Sequence, residues 1–330
     1  MSDIGKGMRK SNSYNCYSGA VSFLLKEHYF PVEERQILLQ EDLLRICCKS
    51  KYDAIYCDFN ALVNTFLTKS GLIFKNILVH NFSDMKKLII ENQYVLAHVN
   101  CTILKYAKIF CNSHTYQNKH YILINECTEG EVSIIDKYIP GVHNCEFCGN
   151  IKVNDIFFET SEFYIMKSES KKLQQMISPN AIKKIDDEIF VKIIDNFLDI
   201  NNLQIFNSFI CNLNDLIKSQ IEILMKQKII YEMSVAMSVS GLISVRKFWV
   251  DELKSNYTLD EKSKLELELI PKWYNQIRIM LLKISIKYDE NELGYIVTRI
   301  RKLQNLERST YSHIKKLVTA NIRQKRGKMF

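Results

Sequence analysis

Tyr94-Val95-Leu96-Ala97-His98-Val99-Asn100 is the stretch at which the period of the chain changes. Before it, apolar residues recur at helical spacing. They run from Tyr17 to Tyr29 after the polar lead Ser11-Asn12-Ser13-Tyr14-Asn15-Cys16, from Phe59 to Thr68, and from Phe82 to Asn92 behind a cap at Asn81 or Ser83. From Tyr94 onward the chain breaks into short apolar runs: His120 to Asn125, Val132 to Asp136 and Phe157 to Met166, separated by turn residues such as Glu129-Gly130-Glu131. Runs of that length predict strands of an antiparallel sheet that follows the helices, an α+β layout.

Past Lys167 the helical period returns and stays. Asn180 to Ile200, Leu203 to Val239, Leu242 to Ser255, Leu259 to Lys287 and Glu292 to Asn321 carry apolar residues three and four apart, with Asp, Asn, Ser or Gly at the joints. The polar run from Lys167 to Pro179 marks the expected boundary, giving a mixed domain over 1–167 and an all-α helical domain over 168–330. A chain of 330 residues is long enough for two cores.

Charge divides the same way. Residues 1–167 hold 18 basic and 18 acidic side chains and 168–330 hold 27 and 19, so the net charge of +8 lies wholly in the second half. Ten Lys and Arg (Arg299, Arg301, Lys302, Arg308, Lys315, Lys316, Arg323, Lys325, Arg326, Lys328) face a single acid, Glu307, over 299–328. Such a face attracts an acidic partner. Nucleic acid is disfavoured, because no stacking aromatic beyond Tyr311 interleaves these charges and no binding motif accompanies them. Met1 to Lys6 lacks the apolar core of a signal peptide, and no run of about 18 uncharged apolar residues is present, so the expectation is a cytoplasmic protein with reduced thiols and no membrane segment.

Three residues stand in an order that carries chemistry. Cys16 opens a helix, where unpaired amides and the positive end of the helix dipole stabilise a thiolate. His120 begins a strand, and Asp136 ends the next one, which places both at the same end of a hairpin. There the carboxylate can hold the imidazole in the tautomer that takes the thiol proton. His143, Cys145 and Cys148 supply three soft ligands, one short of a structural zinc site, and a loop with incidental thiols is the favoured reading, so no metal is expected. His98 alternates with apolar neighbours and is read as a satisfied sheet residue.

A helix-opening Cys, a later His-Tyr strand and an Asp after the next strand resemble the papain-like cysteine proteases, in the branch of the bacteriocin-leader peptidases and the N-terminal domain of butirosin biosynthesis protein H. The Val95 to Asn100 strand resembles the same branch, and the likeness spans roughly residues 10–165. The resemblance implies Cys16 as nucleophile, His120 as base and Asp136 as orienting carboxylate. It also implies a papain-like fold for the first domain.

One position departs from the family. Where its peptidases carry an oxyanion-hole Gln shortly before the Cys, this chain has Lys10. The oxyanion would then be met by the Cys16 amide with a side chain from Asn12 or Asn15, residues that could equally serve only as helix caps.

The departure turns the implied activity from peptide cleavage toward the butirosin-type reaction. In that reaction an acyl group passes from the phosphopantetheine thioester of an acidic acyl carrier protein to an amine. Related cysteine-protease-like enzymes act in ribosome-independent peptide assembly, as for the β-alanine chain of closthioamide. No cofactor would be bound, the phosphopantetheine being carried by the partner. The alternatives are a cysteine peptidase or thioesterase of the same fold, and a non-catalytic module binding an acidic partner.

Overall fold

The computed structural model of the chain describes residues 7–48, 52, 55–107, 119–139, 145–168, 187–239 and 241–327. They fall into two compact units, Met1–Leu38 with Phe59–Lys183, and Leu39–Asp58 with Lys184–Phe330. The first unit runs β1 (Met8–Lys10), α1 (Cys16–Glu27), α2 (Glu34–Leu38), α3 (Phe59–Ser70), β2 (Leu72–Ile77), α4 (Phe82–Asn92), β3 (Val95–Asn100), β4 (Lys119–Thr128), β5 (Glu131–Ile139), β6 (Cys145–Lys152), α5 (Asp155–Thr160) and β7 (Glu162–Ser168).

The strands form one antiparallel sheet in the order β1-β6-β5-β4-β3-β7-β2. β3 to β6 are a meander, each strand bonded to its successor, and Gly130 takes the positive φ of 83° needed at the β4–β5 turn. Alternation along the strands splits the core in two. Leu72, Leu96 and Leu123 pack with Tyr17, Val21 and Leu24 of α1 and Val63 of α3. Val95, Ala97, Val99, Ile122, Ile124, Val132 and Ile134 face the other way, onto Met85 of α4 and Phe157 and Phe158 of α5. Burial on both faces is why the central strands read as continuous apolar runs.

The three helices expected in the first half are found close to their expected bounds, but four strands depart from the reading. Phe157 to Met166 was expected as one strand; it is a helix followed by a strand, because Phe157 and Phe158 both enter the same core cluster, which adjacent residues of a strand cannot do. The stretch around Cys145 and Cys148, expected as a loop, is β6, paired with β5 and β1. β1 and β2 lie at the sheet edges, where their mixed composition gives no clear period.

The second unit is mostly helical: α6 (Asp187–Leu198), α7 (Ile200–Lys218), α8 (Ile223–Val239), α9 (Leu242–Asn256), α10 (Glu261–Ile286) and α11 (Glu290–Gly327). Aspartates start three of them. Asp199 accepts from Asn201 N at 2.7 Å, Asp260 from Ser263 N at 2.8 Å, and Asp289 from Asn291 N at 2.8 Å. Leu203 to Val239, expected as one helix, is α7 and α8, parted after Ser219 turns its backbone to an extended conformation. Among the described residues one stretch, Ile223–Asn256, holds an 18-residue window apolar enough to cross a membrane, but 60% of that window is buried, as in a core helix.

The division into units also differs from the expected cut after residue 167, since 39–58 packs with the later helices. Asn202 accepts from Ile46 N at 2.9 Å, and the Arg246 guanidinium donates to Leu44 O at 3.3 Å and meets Cys57 Sγ at 3.0 Å. Arg246 is held in turn by Glu307 at 2.8 Å, both wholly buried. These bonds join residues far apart in sequence, which no local period announces.

Candidate active site

The first unit builds its site at the start of α1 and the ends of β4 and β5. Asn15 caps the helix, its Oδ1 accepting from Tyr17 N at 2.8 Å. The half-buried Glu34 of α2 accepts from Tyr14 N at 3.1 Å, Asn15 N at 3.2 Å and Ser18 Oγ at 2.6 Å. Burial pushes the Glu34 carboxyl up, while bonds from Ser18, Tyr14, Asn15 and Ser13 pull the other way. The amides of residues 14, 15 and 17 are therefore taken. For the Cys16 amide no hydrogen-bond partner is seen among the described residues.

The lead into the helix is tied to the sheet. Ser11 Oγ donates to Lys137 O beside Asp136, and accepts from Ser13 N at 3.0 Å. α1 approaches this loop so closely that a Cβ on Gly19 would stand 2.7 Å from Ser13 Oγ and 3.0 Å from Lys137 Cβ. A side chain here would press on Ser13 and Lys137, between which α1 comes up to β5.

Cys16 is half-buried, and a hydrogen bond links it to His120, which is 5% exposed. His120 Nε2 lies 2.9 Å from Asp136 Oδ2, leaving Nδ1 as the ring nitrogen for the thiol. Burial disfavours a charged imidazole, but Asp136 and Cys16 beside it outweigh that, and the His120 pKa is pushed well above its ordinary value. Asp136 is fully buried; besides His120 it accepts from Tyr106 OH at 2.8 Å and Tyr138 N at 3.1 Å. Exposure thus falls from Cys16 to His120 to Asp136.

Two features of the surroundings carry no signal in the sequence order. The Tyr17 ring stacks on Tyr121 at 4.0 Å and Tyr121 on His98 at 4.2 Å, so the neighbours of Cys16 and of His120 are clamped face to face. His98 Nδ1 is met by Glu162 Oε2 at 3.1 Å, in keeping with its reading as a satisfied sheet residue. Cys101 lies near the trio, but burial pushes its thiol up to about 12, so it stays protonated and is no rival nucleophile. Glu34 and Tyr106 were also unforeseen, each being a single polar residue in a segment without a distinctive pattern.

The remaining candidates are not gathered. Asn12 is exposed. Cys145 and Cys148, three apart on a strand, point to opposite faces, and His143 lies outside the described residues. No cluster of three metal-ligating side chains occurs among the described residues. On α11, Arg301, Lys302, Lys316 and Arg323 are exposed, Lys315 pairs with Asp195, and the side chains of Lys325, Arg326 and Lys328 lie outside the described residues. Glu307, the one acid of that stretch, is turned inward to Arg246, so its charge is withdrawn from the surface. No protein-family model matches the chain, and no curated protein matches it.

Proposed function

We propose that this chain is a cysteine-dependent acyltransferase of papain-like type, which takes an acyl group from a carrier-protein phosphopantetheine thioester and passes it to an amine. The observation that carries the reading is the run Cys16–His120–Asp136, with Cys16 partly exposed and the carboxylate sealed. His120 takes the Cys16 proton, and the thiolate attacks the thioester carbon. The Cys16 amide at the head of α1 offers a hydrogen bond to the developing oxyanion. The bond from carbonyl carbon to pantetheine sulfur breaks, the leaving thiolate takes the proton from His120, and an acyl-Cys16 enzyme remains. An amine then attacks, His120 receives its proton and returns it to the departing Cys16 sulfur, and the amide C–N bond is made.

The exposed cations Arg301, Lys302, Lys316 and Arg323, with no acid beside them on α11, suit the acidic face of a carrier protein. Lys10, where the family's peptidases carry Gln, favours transfer over peptide cleavage. Hydrolysis by the same acyl-enzyme is the second reading, with water in place of the amine.

Intact-protein mass spectrometry with an acylated carrier protein tests the proposal. The wild type should gain the acyl mass and Cys16→Ala should not; an unmodified wild type across a panel of acyl thioesters would end the acyltransferase reading. Adding amines separates transferase from thioesterase by product. Reversing Arg301, Lys302, Lys316 and Arg323 should weaken carrier binding in a salt-dependent way, and an unchanged affinity removes that face from the mechanism.

A further inference from the structure

Asp136 is a buried carboxylate with a second donor on the oxygen that meets His120. Oδ2 receives both His120 Nε2, at 2.9 Å, and the Tyr106 hydroxyl, at 2.8 Å, while Oδ1 receives Tyr138 N at 3.1 Å. Tyr106 follows the short turn Cys101–Ile103, and its ring lies flat on Phe147 of β6, centroids 4.1 Å apart and planes 9° from parallel. The ring is 6% exposed, so no water need compete for its hydroxyl. Burial, and then Asp136, push the Tyr106 phenol well above its ordinary value, so it remains a donor at every physiological pH.

A carboxylate sealed in an apolar core with only the imidazole for company would bind the imidazolium so tightly that the base would give up its proton reluctantly. A neutral donor on the same oxygen takes a share of the charge and fixes the carboxylate plane. We propose that Tyr106 is a positioning residue for the Cys16–His120 pair: its hydroxyl orients Asp136 and draws off part of its charge, setting how readily His120 releases a proton. Its relevance to turnover rests on the acyl-transfer reading; its effect on His120 does not.

The test is a titration of His120 by NMR in protein with labelled histidine, its signal identified by its loss in His120→Gln. Tyr106→Phe keeps the ring on Phe147 and removes only the hydroxyl. The His120 midpoint should rise by about 0.5 to 1 pH unit. A midpoint that stays or falls overturns the proposal, because packing alone would leave it unmoved. Should Tyr106→Phe fail to fold, 3-fluorotyrosine at position 106 has a more acidic, stronger donating hydroxyl and nearly the same volume. It should lower the midpoint, and an unchanged or higher value is equally fatal. No substrate enters either measurement, so a failure to form acyl-Cys16 would count against the proposed function and leave this result standing.

Discussion

The two units each set a base, an acid, a tyrosine hydroxyl and a thiol in contact. In the sheet unit these are His120, Asp136, Tyr106 and Cys16; in the helical unit, Arg246, Glu307, Tyr274 and Cys57. The hydrogen bonds are alike, 2.9 and 2.8 Å from base to acid and 2.8 and 2.7 Å from tyrosine to acid. What differs is whether the base can part with its proton and how far the cysteine is buried. Imidazole exchanges a proton near neutrality, whereas a guanidinium does not. Cys16 is half-buried at a helix start; Cys57 is 3% exposed, and burial pushes its thiol up to about 11 despite Arg246 beside it. One group joins a base that titrates near neutrality to a partly exposed cysteine; the other joins a permanent cation to a sealed one.

The largest effect should come from breaking the proton relay. His120→Ala should lower acyl transfer by about 10²–10⁴-fold, with the unfolding of the helical unit unchanged. Both tryptophans, Trp249 and Trp273, lie in that unit, so their fluorescence reports it separately. A loss under tenfold would mean that His120 is not the base.

Glu307→Gln makes the opposite kind of break. It keeps an acceptor for Tyr274 but strands the Arg246 charge in the core, which should destabilise the helical unit by about 3–5 kcal/mol. Denaturant unfolding followed by tryptophan fluorescence measures it, and a change below about 1 kcal/mol would show that water reaches the pair. Acyl transfer per folded molecule should be retained, because no member of this group touches the proposed reaction.

Asp136→Asn sharpens the contrast, since His120 can answer the loss of its partner by becoming neutral. The cost should be smaller, about 2 kcal/mol, and dependent on pH. The folded His120 pKa is raised, so its contribution is fully present below the unfolded value near 6.5 and is lost as pH rises through the folded value. The gap between wild type and Asp136→Asn should therefore be widest in mild acid and close toward alkaline pH. Hydrogen exchange of β4 and β5 amides across that range reads it, and a gap that widens with pH contradicts the sign.

The two groups were unequally legible in the sequence. Cys16, His120 and Asp136 sit at ends of elements, and ends are marked: a cap before a helix, a turn before a strand. Residues at such ends converge wherever a helix packs along a hairpin, so order alone brought the trio together. Arg246, Glu307, Tyr274 and Cys57 sit within long helices and an inserted segment, where nothing local separates a buried Glu from a solvated one. Glu307 read as the lone acid of a basic surface; it is buried because a cation 61 residues away needs it. Tyr106 is hidden in the same way, its partner being 30 residues on in a strand. β6 was hidden by its thiols and polar residues, and α5 by an apolar run short enough to be either helix or strand.

The smallest expected effect decides the role of Asn15, which the sequence left open between cap and oxyanion donor. Its Oδ1 is committed to Tyr17 N and its own amide to Glu34, as a cap residue held from below would be. Asn15→Ser retains a hydroxyl able to cap and discards the side-chain amide. As a cap, the substitution should change stability by no more than a few tenths of a kcal/mol and acyl-Cys16 formation by less than about threefold. A donor to the oxyanion would betray itself by a rate fall of about 10²–10³-fold with stability intact. With the amides of residues 14, 15 and 17 engaged, the Cys16 N–H is the donor proposed for the oxyanion, and single-turnover acylation of Asn15→Ser measures whether it suffices.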